Sequence, residues 1–180
     1  DRFELLEHQT FWLSETPEKV GSKGWDAALP RIATWAKFKD KKKGRIFYFF
    51  NTHFDHKGHE ARKMSAALIA KEIKRIAGDS PVILTGDFNF PPSSEPYAVL
   101  IDNALKDTAS EVDDENKYGT EYTTNGWDIE AGDERTRIDY VFYKGNELTP
   151  IKYHVLDGQR GKRFISDHFP VLVDFKFSGK

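Results

Sequence analysis

Four short polar islands adjoin apolar, strand-like runs: Thr52-His53-Phe54-Asp55, Gly86-Asp87-Phe88-Asn89, Arg137-Ile138-Asp139-Tyr140 and Ser166-Asp167-His168. Carboxylates, amides and imidazoles at such positions can converge on one phosphate and one hard metal ion. Phosphoester hydrolysis needs a positioned water, a group to take its proton, and donors or cations to neutralise charge on the phosphoryl oxygens. These islands hold most of those parts.

Asp87 and Asn89 follow the continuously apolar run Pro81 to Thr85. Two apart in an extended segment, they point the same way just outside the carboxyl end of the strand, where α/β sheets bind ligands. A carboxylate there can orient or deprotonate water, and the amide can bridge water and phosphate. The plainer reading is a turn in which both side chains bond backbone amides before Pro91-Pro92. His53 and Asp55 likewise follow an aromatic strand and share one side. His53, His56 and His59 have the spacing of a zinc set, but that spacing runs from a loop into a helix and no cysteine completes a tetrahedron. His59 is expected near the helix start, solvated or capping.

Asp167 and His168 are adjacent, so in extended chain their side chains diverge and His168 needs another carboxylate to orient it. Asp139 can supply it. A buried Asp hydrogen-bonded to an imidazole fixes its tautomer and favours the cation, which suits a charged phosphate. The plainer reading of Asp139 is an ion pair with Arg135 or Arg137, and that of Asp167 is a turn before Pro170.

The elements that must position these groups can be read from hydrophobic spacing. Residues 2–13 are strand-like and residues 15–30, rich in Gly, Pro and charge, form a loop. Residues 31–38 and 45–52 are strand candidates, and the Asp40-Lys41-Lys42-Lys43-Gly44 stretch between them predicts a hairpin whose lysines are solvated. From Gly58 to Ala77, Ala61, Met64, Leu68, Ile69, Ile73 and Ile76 recur at helical spacing, with Gly78 beyond the end. Residues 81–85 then read as a buried strand, so strand, helix and strand make a crossover unit. A short helix is expected over 95–103. Residues 107–135 read as a long surface excursion carrying Tyr118, Tyr122 and Trp127, of the kind that selects substrates. Strands return at 138–143, 148–156 and 170–177. The pattern predicts one mixed α/β sandwich over residues 1–180.

Composition narrows the class. With 180 residues the chain can bury about 70% of the surface its unfolded form exposes. Lys plus Arg total 27 and Asp plus Glu total 29, a formal charge of −2, so long duplex DNA is not the default partner. Absence of cysteine excludes thiolate chemistry and disulfides and leaves both cytoplasmic and exported locations open. No run approaches the roughly 18 apolar residues of a membrane span, so stable membrane insertion is not expected. The chain starts at Asp1, inside what reads as an element, which suggests truncation or processing.

Taken together and in this order, the islands resemble the endonuclease/exonuclease/phosphatase family of DNase I-like metal-dependent phosphoesterases. Gly86-Asp87-Phe88-Asn89 and Ser166-Asp167-His168 carry the resemblance, with support from Asn51-Thr52-His53 and Arg137-Ile138-Asp139-Tyr140. Phe11 to Glu15 and Pro30 to Trp35 are similar to a bacterial branch. The resemblance implies a two-sheet sandwich flanked by helices, with the site at one end between the sheets. It makes Asp87 the water-activating carboxylate, with His168 as the other possible proton acceptor, and Asn89 a support for nucleophile and phosphate. It further implies phosphate contacts from His53 and His168, orientation of His168 by Asp139, and Asp167 at or near Mg2+ or Mn2+. Arg31 is a further candidate phosphate contact.

The family pattern also has an early strand ending in Asn and a Gln-Glu pair whose Glu is the main metal ligand. No Gln-Glu pair occurs here. The expectation is therefore that the chain is about the last two thirds of the fold, with an N-terminal segment of the same protein missing and the fragment alone inactive. The expected function is hydrolysis of a phosphodiester or phosphomonoester by activated water. The alternatives are a noncatalytic module that binds a phosphate-bearing ligand, or a nuclease acting on DNA or RNA. Near-neutral charge and the aromatic excursion favour a phosphorylated small molecule or lipid headgroup over nucleic acid.

Overall fold

The computed structural model describes residues 1–127, 135–159, 161 and 163–178. Two long strands, β1 (Phe3–Trp12) and β2 (Ile32–Asp40), pair antiparallel, and β2 pairs in turn with β3 (Arg45–His53). The β2–β3 turn exposes Lys41, Lys42 and Lys43 and closes at Gly44, where φ is +68°, a conformation glycine adopts without strain. These lysines are solvated, as the sequence predicts.

After β3 comes α1 (His59–Ala77), which buries Ala61, Ala66, Ile69, Ile73 and Ala77 on one stripe and ends at Gly78 (φ +56°). Strand β4 (Val82–Asp87) then lies parallel to β3, completing the predicted crossover. The short helix α2 (Glu95–Asp102) is capped by Ser94, whose hydroxyl accepts from the Tyr97 N–H. The first sheet is completed by β5 (Lys106–Asp107) and β7 (Asp139–Lys144), giving the order β1-β2-β3-β4-β7-β5. A second sheet has the order β6-β8-β9, from β6 (Lys117–Tyr118), β8 (Leu148–Val155) and β9 (Val171–Phe177).

Strand pleating divides the first sheet into two faces. One face sends Trp35, Phe50, Val82, Leu84 and Phe142 into a core shared with Ile69 and Ile73 of α1 and Leu100 of α2. The other face meets the second sheet, where Phe47 packs on Phe177 and Tyr143 on Phe175. The result is a DNase I-like two-sheet fold with helices on its outer side. No described helix is long and apolar enough to cross a membrane.

Residues 107–135 depart from the expected surface excursion, although 128–134 lie outside the described residues. The segment supplies β5 to one sheet and β6 to the other, includes the short helix α3 (Thr108–Glu111), and buries Val112, Thr123 and Asn125. Its polar residues misled the pattern because Thr123 and Asn125 are buried by hydrogen bonding rather than apolar packing. Tyr118 and Trp127 are exposed as expected.

Asp55 also departs from expectation. Strand β3 ends at His53, so Asp55 no longer shares its side. It is buried and accepts from four backbone N–H groups: Lys57 (2.9 Å), Gly58 (2.7 Å), Ala28 (3.0 Å) and Leu29 (3.1 Å). It therefore ties the 15–30 loop to the turn entering α1. Nearby, Asp26 accepts from the Ala61 N–H (2.7 Å) and Glu60 N–H (3.3 Å), doing the capping that Gly58 cannot. Burial alone would raise the Asp55 pKa, but the four amides outweigh it and hold the carboxyl well below its ordinary range.

Asp55 stabilises the charged form in the fold, so its contribution is full above the unfolded value of about 3.9 and is lost as pH falls toward the lower folded value. Replacing Asp55 with Asn should cost about 2 kcal/mol at pH 7. Urea unfolding should show that penalty shrinking below about pH 4; an equal penalty at pH 3 would contradict the assignment.

Candidate active site

Three strand ends coincide at one edge of the first sheet. Parallel pairing sets His53 opposite Asp87, and antiparallel pairing sets Asp87 opposite Asp139, so the three form one row across β3, β4 and β7. Because pleat parity is shared along a registered row, all three side chains leave the same face. The row below it, Asn51, Thr85 and Val141, lies on that face too, and the Asn51 amide donates to Thr85 Oγ1 at 2.9 Å. Gly86 lets β4 approach β3 this closely. A Cβ there would fall deep inside van der Waals contact with the Thr52 carbonyl oxygen.

His168 reaches the row from the loop between β8 and β9. Its Nδ1 lies 2.8 Å from Asp139 Oδ2, while His53 Nε2 lies 3.2 Å from Asp87 Oδ2. Two imidazole–carboxylate pairs thus stand side by side. They line a cleft of about 470 Å³ that also includes Asn51, Thr85, Ser166 and Phe169. The side chains of His53, Asp87 and Asp139 are 55%, 17% and 20% exposed, so the row is most open to a ligand at its His53 end.

The charges in this cleft are coupled. Burial pushes the Asp87 carboxyl up, but His53, the Asn89 N–H and the charge on His168 outweigh it, leaving the pKa below the ordinary value. Asp139 goes the other way: burial raises it, and the nearby Asp87 charge adds to the rise. Burial lowers His168, yet the surrounding Asp139, Asp87 and Asp167 reverse that and raise it. The Asp139–His168 pair therefore holds a proton more readily than either group alone, and Asp87 gives one up more readily.

The other sequence candidates lie differently. Asn89 is not extended: its φ is +53°, its N–H donates to Asp87 Oδ1 (2.9 Å), and its side-chain amide donates to the Phe54 carbonyl (3.0 Å). This is the turn of the plainer reading, and it fixes one Asp87 oxygen while the other faces His53. Arg31 is not among the residues lining the cleft. Its guanidinium lies 3.2 Å from His56 Nδ1 and 3.7 Å from Asp55, drawn away by the buried carboxylate. Asp167 is exposed, its carboxylate accepting from Ser166 Oγ at 3.3 Å. Arg137 pairs with Asp107 at 2.7 Å, leaving Asp139 to His168. His56 and His59 are exposed, and no metal-binding group among the described residues includes His53, His56 or His59.

The family model for the Endonuclease/Exonuclease/phosphatase family matches residues 11–168. The chain belongs to this family. An endonuclease/exonuclease/phosphatase structure from Bacteroides vulgatus is 39% identical, with a TM-score of 0.92 over 99% of this chain and 67% of that one. A mannosyl-6-phosphatase of Bacteroides thetaiotaomicron is 40% identical, with a TM-score of 0.88 over 98% of this chain and 68% of that one. An uncharacterized protein of Acanthamoeba polyphaga mimivirus is 30% identical across 92% of this chain and 63% of its own length. The chain thus spans about two thirds of the length of these relatives.

Endonuclease/exonuclease/phosphatase enzymes are hydrolases, generally dependent on a divalent metal. Here Asp87, Asp139 and His168 each offer a ligand atom within 4.8 Å of the others. Two carboxylates fit a hard cation, whereas the imidazole suits a softer one. Asp167 lies outside this group.

One positioning residue escaped the sequence reading. Thr123, fully buried, accepts from the Ile138 and Asp139 N–H groups (3.1 Å each) through Oγ1. Its carbonyl accepts from the Phe169 N–H at 2.7 Å, so one residue grips both sides of the Asp139–His168 pair. Asn125 assists, its side chain donating to the Ser166 carbonyl at 2.9 Å and its N–H to the Asp167 carbonyl at 2.8 Å. The only local signal was a polar run ahead of Gly126.

Thr123→Val should lower stability by about 2 kcal/mol by stranding two amides, while Thr123→Ser retains most of it; matched urea curves test this. Proton-NMR titration of the metal-free chain should find His168 above the ordinary histidine value of about 6.5. Asp139→Asn should bring it down, and an unmoved titration would remove Asp139 as the cause.

Proposed function

We propose that the protein containing this chain is a metal-dependent phosphoesterase that hydrolyses the phosphomonoester of a small phosphorylated molecule by activated water. The observation that carries this reading is the registered row of His53, Asp87 and Asp139 facing His168. Its spacing gives one ionised carboxylate flanked by two imidazoles in a single cleft. Asp87 orients the attacking water and takes its proton, its charged form favoured by His53 and the Asn89 N–H. His168, whose cationic form Asp139 favours, and His53 donate to phosphoryl oxygens as charge builds on them. Asn89 acts as a positioning residue for Asp87 through its N–H.

Mg2+ or Mn2+, favoured by the carboxylate oxygens of Asp87 and Asp139, would supply charge neutralisation at the phosphoryl group. The choice of a small monoester is supported by the near-neutral charge of −2 and by the 40% identity to a mannosyl-6-phosphatase. A phosphodiester, lipid headgroup or nucleic acid would appear instead as preferential turnover in a substrate panel.

The test uses the full-length protein with Mg2+ or Mn2+, assayed against mannose 6-phosphate, bis(p-nitrophenyl) phosphate, RNA and sphingomyelin. Asp87→Asn should lower kcat by about 10²–10⁴-fold with little change in KM. Full activity in that variant would take Asp87 out of the mechanism, and preferential cleavage of RNA would replace the monoester reading with a nuclease.

A further inference from the structure

A second cavity, of about 590 Å³, lies beside the row and shares none of its residues. Thr136 and Arg137 form part of its wall, two and three positions ahead of the strand that begins at Asp139 with the row. Thr136 is joined to Thr124 through its N–H (3.0 Å) and its carbonyl (3.1 Å), and Thr124 is bridged to His168. A single pair of hydrogen-bonded segments therefore separates the cavity from the His168 side of the cleft.

The chemistry of this cavity differs from that of the row. Its lining combines three tyrosines (Tyr118, Tyr122 and Tyr153), two threonines and the carboxylates of Asp114 and Glu121 with the cations of Lys117, Arg135 and Arg137. Tyr153 is buried, and its Oη has no hydrogen-bond partner. A buried hydroxyl left unpaired costs free energy, so a ligand that supplies its partner gains accordingly. Burial pushes the Tyr153 phenol up to about 12, and Arg137 opposes the rise. The group therefore stays a donor across the physiological range. Tyr118 is 45% exposed, although Lys152 sits over its ring at 4.8 Å. Gly119, next to it, takes φ +83° where a Cβ would collide with the Val155 carbonyl, which fixes this segment against β8.

Hydroxyl donors, a carboxylate acceptor, a guanidinium and an exposed aromatic ring in one recess suit a ligand that carries many hydroxyls and a ring with apolar C–H faces. A phosphate ion would use the cations and leave the tyrosines idle. An acyl chain would leave the Tyr153 hydroxyl unpaired. We infer that this cavity is a carbohydrate subsite that holds the sugar unit next to the phosphorylated one, making the substrate a phosphorylated oligosaccharide rather than a lone sugar phosphate. This inference rests on the monoester reading above for the identity of the reacting group, and on the cavity alone for the second ring.

The experiment compares 6-phosphomannobiose with mannose 6-phosphate on the full-length protein. The disaccharide should have a KM about fivefold lower, the effect of one net hydrogen bond with a partner that the monosaccharide cannot supply. Tyr153→Phe, which removes an oxygen that bonds nothing in the fold, and Tyr118→Ala, at an exposed position, should each bring the disaccharide KM up to that of the monosaccharide. Equal KM values in the unaltered protein, or variants that shift both substrates alike, would overturn the subsite. If neither compound is turned over, the monoester reading fails on its own, and the cavity is decided by titrating phosphate-free mannobiose in amide NMR. Shifts confined to Tyr118, Gly119, Thr120 and Thr136, and lost in Tyr153→Phe, support the subsite. Absence of shifts there refutes it.

Discussion

The structure depends on the register of three strands. Parallel pairing of β3 with β4 and antiparallel pairing of β4 with β7 set His53, Asp87 and Asp139 in one row on the face opposite the helices. A slip of one residue in either pairing would turn a member of that row into the core, because side chains alternate faces with a period of two. The register is held from the other face. There Phe50, Leu84 and Phe142 pack against the same buried layer as α1, so the core that stabilises the sheet also aims the polar row. Gly86 belongs to this constraint, since any Cβ would push β4 away from the Thr52 carbonyl.

The electrostatics follow from that spacing. Two carboxylates and the His168 imidazole crowded into a partly enclosed cleft shift one another's titration. The observed pairing resolves the crowding by geometry: Asp139 takes the His168 Nδ1, and Asp87 faces His53. Proton affinity is lowered at Asp87 and raised at Asp139 and His168, so neighbouring groups are pushed in opposite directions. Arg31, a candidate phosphate contact, and Arg137, a candidate partner of Asp139, both lie toward other carboxylates. Arg31 lies 3.7 Å from the buried Asp55, and Arg137 pairs with the buried Asp107 at 2.7 Å.

Much of the support for this site lies outside the four polar islands. Thr123 and Asn125, from a segment whose composition reads as surface, hold the loop that delivers His168. The same segment supplies the wall between the row and the second cavity, through Thr124 and Thr136. One polar stretch thus orients the histidine on one side and shapes a recess on the other.

Apolar spacing alone determined most of the elements: the β2–β3 hairpin, α1, the crossover to β4 and the three late strands, because these patterns are local and periodic. Residue type and order also placed His53, Asp87, Asp139 and His168 at strand ends or in the loop beside them. Tertiary structure alone decided the rest. Asp55 became an anchor because four amides from two separate segments close around it. Asn89 became a turn residue because β4 stops at Asp87. Thr123 became a clamp because its partners lie fifteen, sixteen and forty-six positions away. Hydrogen bonds between distant segments leave no period in the sequence, and a polar residue buried by such bonds has the same local signature as one facing water.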